Sequence, residues 1–346
     1  MTARRGTAAL LVALLAGAGA GAGAQEQELR VAFLGDAGTG DDEQRDIRDQ
    51  LVRVSPRFVF LLGDNIYDWG DKRKFDTHFD EPYAPLLRRG VIFHSALGNH
   101  DVKHCEAAAV DPLPADFEAY TWRRHRCDVE DHLTHAGFGY YDNRRYYSIV
   151  SEASVTPLLE VFVLDSNTLR TSQGKLPAWR EDRAQLQWLE QALLRSRATW
   201  KVVVLHHPPH SPTTGAKYFF FVPFGGGRAR EYTLDEQLAP ILLRGRVDAV
   251  ITGHNHFYAR IAPQSGIRYF VSGGGGRRVY PFVEAPGYVL SGGGYYHFLM
   301  VRLTRTTFTY YAIDDEGRSR DAGWFAKGDV ADRALPPGAL PPRAAP

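Results

Sequence analysis

The chain is 346 residues long with 44% hydrophobic, 12% aromatic and 23% charged content, the proportions of a folded globular protein, which exclude disorder, collagen and coiled coil as its overall form. Its 41 basic and 40 acidic residues leave a formal net charge of +1, so no field gathers nucleic acid or an anionic membrane, and neither is expected as a partner. Two cysteines are too few for a disulfide scaffold or a thiolate zinc site.

At the N-terminus, Arg4 and Arg5 precede a small-residue apolar run over 8–16, and Ala22-Gly23-Ala24 forms a small-residue cleavage site before Gln25. This is the layout of a secretory signal peptide over residues 1–24. The run is too short and too rich in Gly and Ala to serve well as a membrane anchor. The expected product is a secreted or periplasmic protein with no stable membrane association after cleavage. In an oxidising compartment Cys105 and Cys127, which share one polar segment, are expected to form a disulfide.

From there the chain alternates apolar runs of strand length with polar, helix-like stretches. Runs at 29–34, 58–62, 91–96, 159–164, 202–205 and 247–252 suit strands buried on both faces. Ile47, Leu51 and Val54 make one helical stripe closed by Ser55-Pro56; Leu186, Leu189 and Leu193 make another, with Asp182 as its N-cap. After Gly266 the pattern changes: 269–272 reads as a strand, Gly runs lie at 273–276 and 292–294, and 295–313 alternates as a hairpin. The expected fold class is α/β, two mixed β-sheets packed between helix layers, over residues 25–325. Residues 326–346 read as a Pro/Ala-rich tail, structureless from about Ala334.

Five polar clusters follow the predicted strands: Gly35-Asp36-Ala37-Gly38, Gly63-Asp64-Asn65-Ile66-Tyr67, Gly98-Asn99-His100-Asp101, His206-His207 and Gly253-His254-Asn255-His256. Strand exits are where open α/β sheets place their sites. Singly, each has an ordinary reading as a turn, a strand end or a surface pair. Together they deliver carboxylate, amide, imidazole and phenol, a mixed O and N donor set that suits iron, zinc or manganese.

In order and spacing these clusters match D-x-G, G-D-x-x-Y, G-N-H-[DE], V-x-x-H (from Val203) and G-H-x-H. The chain thus resembles the metallophosphoesterases, and Tyr67 points to their purple acid phosphatase branch, with residues 29–313 looking most like the small tartrate-resistant type. The run 184–189 is similar to the helix that precedes the fourth motif there. The resemblance implies a calcineurin-like αββα sandwich with a two-metal site. Asp36, Tyr67 and His256 would hold Fe(III), Asn99, His206 and His254 a second divalent metal (Fe, Zn or Mn), and Asp64 would bridge the two. The donor chemistry agrees, since a trivalent cation prefers phenolate and carboxylate oxygen and a divalent one accepts amide and imidazole. Tyrosine ordinarily titrates near pH ~10, so only a strong Lewis acid keeps Tyr67 ionised in acid.

The expected activity is acid phosphatase: hydrolysis of small-molecule phosphomonoesters by a metal-bound hydroxide, by a chain that is expected to be a monomer. No G-x-S-x-G elbow offers a covalent nucleophile. His100 is the candidate acid for the leaving group with Asp101 orienting its imidazole, or else it only steadies Asn99. His207 and His210 are candidates to line the phosphate pocket. Here the chain departs from the family, because no histidine lies between Ser211 and Gly253 where a substrate-side histidine is expected. Lys217 or Arg228 are alternative replacements. A phosphodiesterase or nucleotidase on the same metals, and a non-hydrolytic iron or redox protein, are the competing readings. The Gly273–Gly276 run with Arg277-Arg278 reads either as a backbone phosphate cradle or as a turn.

Overall fold

A computed structural model describes residues 28–102, 129–169, 182–212, 232–282 and 287–342. The predicted signal peptide, Cys105 and Cys127, Lys217 and Arg228 all lie outside these residues.

The first sheet has the order β14-β13-β12-β11-β1-β2-β3. Its strands are β1 (Leu29–Leu34), β2 (Phe58–Leu61), β3 (Ile92–Ser95), β11 (His297–Leu303), β12 (Thr307–Asp314), β13 (Ser319–Ala326) and β14 (Arg333–Ala334). The second sheet has the order β10-β8-β9-β7-β6-β5-β4. It is built from β4 (Tyr147–Val150), β5 (Leu159–Val163), β6 (Trp200–Leu205), β7 (Ala249–Thr252), β8 (Tyr258–Gln264), β9 (Ile267–Ser272) and β10 (Val289–Gly293). Both sheets are mixed: β1, β2 and β3 run parallel, as do β5, β6, β7 and β9, while the remaining pairs are antiparallel.

The unbroken apolar runs are explained by two cores. In the second sheet Val161, Val163, Val202, Val204, Ala249 and Ile251 face the first sheet. Their neighbours Phe162, Leu164, Val203, Leu205 and Val250 face a helix layer of α4 (Arg183–Arg195) and α5 (Tyr232–Gly245), meeting Leu189, Leu193 and Leu238. A strand buried on both faces has no polar alternation to show. Against the first sheet pack α1 (Asp42–Val54), through Ile47 and Leu51, and α2 (Glu81–Leu87), through Tyr83 and Leu86. The short α3 (Val129–Thr134) follows β3 in the described chain. The predicted punctuation holds: Ser55 ends α1 in the left-handed region, and the Asp182 carboxylate caps α4 by accepting from Gln185 N at 2.9 Å.

The tail corrects the sequence reading, because its described part is not structureless. Two residues of it form β14 on the edge of β13, and Leu335 and Ala339 pack on the core. Asp332, just before β14, pairs with the buried Arg268 of β9 at 3.0 Å. Composition gave no sign of this, since the anchor is an ion pair to a residue some sixty positions earlier. Among the described residues no helix is long and apolar enough to cross a membrane.

Candidate metal centre

The clusters leave the carboxyl ends of β1, β2 and β3 in one sheet and of β6 and β7 in the other, so the layered fold converges them at one edge. Tight loop crossings make this possible. A Cβ on Gly63 would stand 2.6 Å from His206 Nδ1, and one on Gly98 would stand 2.2 Å from Asp64 Oδ1. Asp36, Asp64 and His254 adopt φ of 59°, 53° and 68°, a left-handed conformation that residues with side chains rarely take. Strain of this kind concentrates at functional sites.

Two groups of side chains result. In the first, the Tyr67 hydroxyl lies 3.1 Å from Asp36 Oδ1, 2.9 Å from Asp64 Oδ2 and 3.1 Å from His256 Nε2. In the second, Asn99 Oδ1 is 3.0 Å from both His206 Nε2 and His254 Nδ1, and those two nitrogens are 3.2 Å apart. Asp64 belongs to both, its Oδ1 being 3.5 Å from His206 Nε2. All seven residues expected as ligands are therefore brought together.

Their far sides are tied back to the chain. His206 Nδ1 bonds Leu62 O at 2.9 Å and His256 Nδ1 bonds Arg278 O at 2.9 Å, so each ring is left to present Nε2 inward. His256 also stacks on Tyr280, with centroids 4.4 Å apart. The His254 and His100 backbone N–H groups donate to Asp36 Oδ2 and Asp64 Oδ1 at 2.7 and 2.8 Å.

The charges show what the group lacks. Burial, then the Asp36 and Asp64 carboxylates, push the Tyr67 hydroxyl well above its ordinary range. Burial raises Asp64 too, but His206, His100 and His254 outweigh it and hold the carboxyl below the usual value. Burial, then His207 and His206, push His254 well below its ordinary value. Among the described residues neither Asp36 nor Asp64 has a Lys or Arg ion pair, and His254 Nε2 is buried without a hydrogen-bond partner. Geometry marks His206, His207 and His254, and separately Asp36, Asp64 and His256, as groups able to hold a cation. The donor set fits two metal ions.

The four residues expected around the metals fare differently. His100 packs its ring 4.6 Å from that of Tyr67, and its Nδ1 bonds Asp68 O. Asp101 does not orient that imidazole. It is buried and accepts from Gly98 N at 2.8 Å, Asn65 N and Nδ2 at 2.9 Å, and Ile66 N at 3.1 Å. It locks the second motif loop to the third. Burial and the neighbouring Asp64 charge push its carboxyl up to about 7, against the pull of those N–H donors. His207 is buried against His254, ring centroids 4.5 Å apart, with Nδ1 on Ser166 Oγ at 2.8 Å. Burial and His206 press it down to about 3, so it is neutral. His210 is turned elsewhere, pairing with Asp235 of α5 at 2.9 Å and meeting Tyr269 edge-on, on the helix-layer side of the second sheet. The Gly273–Gly276 run crosses beside the ligand loops, and Gly273 N, Gly275 N and Arg277 N are already engaged, donating to Phe257 O, Gly35 O and Asp36 O.

One contributing loop went unread in the sequence. Asp165, Ser166 and Asn167 follow β5, and Asn167 Nδ2 reaches Leu97 O and Gly98 O at 3.3 and 3.4 Å while Ser166 holds His207. The signal was available: this is a further polar strand exit, without the glycine or histidine that marked the others.

Two groups of buried carboxylates, imidazoles and a phenol at the parallel-strand ends of a two-sheet sandwich make a candidate binuclear metal site. The chain belongs to the calcineurin-like phosphoesterase family, whose model matches residues 29–258. Among named relatives it is 27% identical over 308 residues to purple acid phosphatase 4 of Arabidopsis thaliana, covering 84% of this chain and 81% of that one. To tartrate-resistant acid phosphatase type 5 of Sus scrofa it is 25% identical over 236 residues, spanning 63% of this chain and 58% of the relative. Its fold matches that of purple acid phosphatase PPD1 from yellow lupin seeds with a TM-score of 0.63 at 17% identity, over 87% of this chain and 54% of that one.

Proposed function

We propose that this chain is an exported acid phosphatase that hydrolyses phosphomonoesters at a binuclear metal centre of the purple acid phosphatase kind. The observation that carries this reading is Asp64, whose two oxygens face the two ligand groups at once. Asp36, Tyr67 and His256 would hold Fe(III); Asn99, His206 and His254 would hold a divalent Fe, Zn or Mn; Asp64 would join them. When bound, such a pair supplies Lewis acidity that neutralises phosphoryl charge and renders water acidic enough to attack in line.

The remaining work falls to the chain. A carbonyl oxygen only accepts, so His100 Nδ1 must carry a proton toward Asp68 O. Its Nε2, 4.0 Å from Asp64 Oδ2, then has a proton to give a leaving alkoxide only when the ring is an imidazolium. Asp101 keeps the Asn99 and Asp64 loops in register through its N–H donors, a positioning role.

The test is a visible spectrum with metal analysis on the same sample. Purple or pink protein, with a charge-transfer band abolished in Tyr67→Phe, places Fe(III) on Tyr67. Colourless protein carrying two other metals would remove the purple branch and leave a phosphoesterase. Protein that takes up no metal on reconstitution would sink the proposal.

A further inference from the structure

The segment after β9 places Arg277 beside the centre, and neither His207 nor His210 occupies that position. Its backbone N–H donates to Asp36 O at 2.9 Å, which pins the residue to the first ligand loop. Its guanidinium carbon lies 4.7 Å from the centroid of the Tyr67 ring, whose hydroxyl touches Asp36, Asp64 and His256. Nη2 pairs with Asp68 Oδ1 at 2.7 Å. Asp68 is the residue after Tyr67, and its carbonyl accepts a hydrogen bond from His100 Nδ1. Asp68 thus steadies both the candidate acid and the Arg277 guanidinium.

This pair is poorly explained as a stabilising contact. Arg277 and Asp68 side chains are 39% and 49% exposed, and ion pairs so open to water add little to stability. What the pair does fix is direction. With Nη2 engaged, a planar guanidinium retains further N–H donors, in the fork geometry that suits phosphate oxygen. The expected phosphate-side histidine is missing from the sequence, and His210 faces Asp235 instead.

We propose that Arg277 is the substrate-side cation of this centre: it binds a non-esterified phosphoryl oxygen and so selects dianionic phosphomonoesters over monoanionic diesters. This rests on the phosphatase reading above. A diester has one fewer charged oxygen to offer once the metals are engaged, and it gains little from a second cation.

The experiment compares metal-loaded wild type with Arg277→Gln and Arg277→Lys. Inorganic phosphate binding is measured by calorimetric titration, and turnover is followed with an aryl phosphomonoester and the matching bis-aryl diester. A charge-assisted hydrogen bond of this kind predicts phosphate binding weakened about 10- to 100-fold in Arg277→Gln. Monoester KM should rise in parallel with kcat little changed, diester kcat/KM should hold, and Arg277→Lys should recover part of the loss. Unchanged phosphate affinity, or equal losses on both esters, would overturn the proposal. So would loss of metal or of any tyrosinate band in Arg277→Gln, which would show that the side chain only props Tyr67. Phosphate binding that depends on Arg277 in a protein that hydrolyses neither ester would uphold the site and defeat the hydrolase reading instead.

Discussion

Two polar clusters join the same pair of sheets, and they balance charge in opposite ways. In the seam between β8 and β13, Arg260 Nε and Nη2 clasp Asp321 at 2.7 and 3.1 Å, and the Tyr258 hydroxyl donates to the same carboxylate at 2.8 Å. Next to it Arg268 meets Asp332 at 3.0 Å, the Tyr310 hydroxyl donates to Asp332 at 3.1 Å, and Arg268 lies over the Phe325 ring. Every carboxylate there has a guanidinium. At the strand ends Asp36 and Asp64 are more deeply buried, yet among the described residues they face imidazoles, a phenol and backbone N–H groups and pair with no Lys or Arg. Buried charge must be compensated: the seam does so with fixed guanidiniums, the centre with imidazoles, which hold Asp64 below its usual range and are free to serve a bound cation instead.

The sharpest way to break this contrast is to remove one acid from each cluster. In Asp64→Asn we expect bound metal to be lost and hydrolysis to fall by at least about 10²- to 10³-fold, since the shared ligand is gone. Retention of both metals in Asp64→Asn would show that Asp64 does not join the two groups. In Asp321→Ala metal content should be retained. Among the described residues, half-buried Arg260 then keeps only the Asp332 carboxylate, its Oδ2 at 3.9 Å, and denaturant unfolding should show a loss of about 1–3 kcal/mol. Equal metal loss in both variants would erase the distinction.

The contrast also explains what could be read in advance. The ligand loops were legible because each follows an apolar strand run and carries a dense chemical signature, and because the continuous runs already implied strands buried on both faces. The seam was invisible, since Arg260, Arg268, Asp321 and Asp332 are single charges in ordinary polar contexts, paired only by the approach of β8 and β9 to β13 and the tail. For the same reason the tail looked structureless. Asp101 was assigned to the wrong partner because adjacency in sequence suggested His100, whereas a folded carboxylate takes the N–H donors that a neighbouring loop presents. His210 failed likewise: four positions after a ligand, it had already turned toward α5.

A titration separates the centre from the rest of the interior. His132 and His297 are fully buried, and burial presses both down to about 4 despite one carbonyl partner each, Gly70 O and Tyr295 O. The unfolded chain takes up these protons near pH ~6.5 whereas the folded chain does not until about 4, so stability falls as pH drops through that window. Each group accounts for about 3 kcal/mol at most, the free energy of a shift from about 6.5 to about 4. An acid phosphatase would therefore work in the range where its own fold weakens. Melting temperatures from pH 7 to 4 should decline, and His297→Gln should flatten the slope even if it lowers the value at pH 7. A slope unchanged by that substitution would shift the cause to the carboxylates and histidines of the centre.

The smallest effect probes where the centre ends. His207 lies close enough to His206 and His254 to be counted with them as a cation-binding group, yet its Nδ1 is engaged by Ser166. The Ser166 hydroxyl also accepts from His207 N at 3.1 Å. When that oxygen gives its own proton to Nδ1 as well, the ring's proton stands on Nε2; this is the tautomer that Ser166→Ala tests. A ring so protonated has no inward lone pair, and it offers the site a donor rather than a ligand. Ser166→Ala should then cost about 1 kcal/mol for the lost hydrogen bonds and leave the content and affinity of both metals unchanged. A measurable fall in metal affinity would move His207 into the ligand set, and would make the second group of side chains a three-imidazole site.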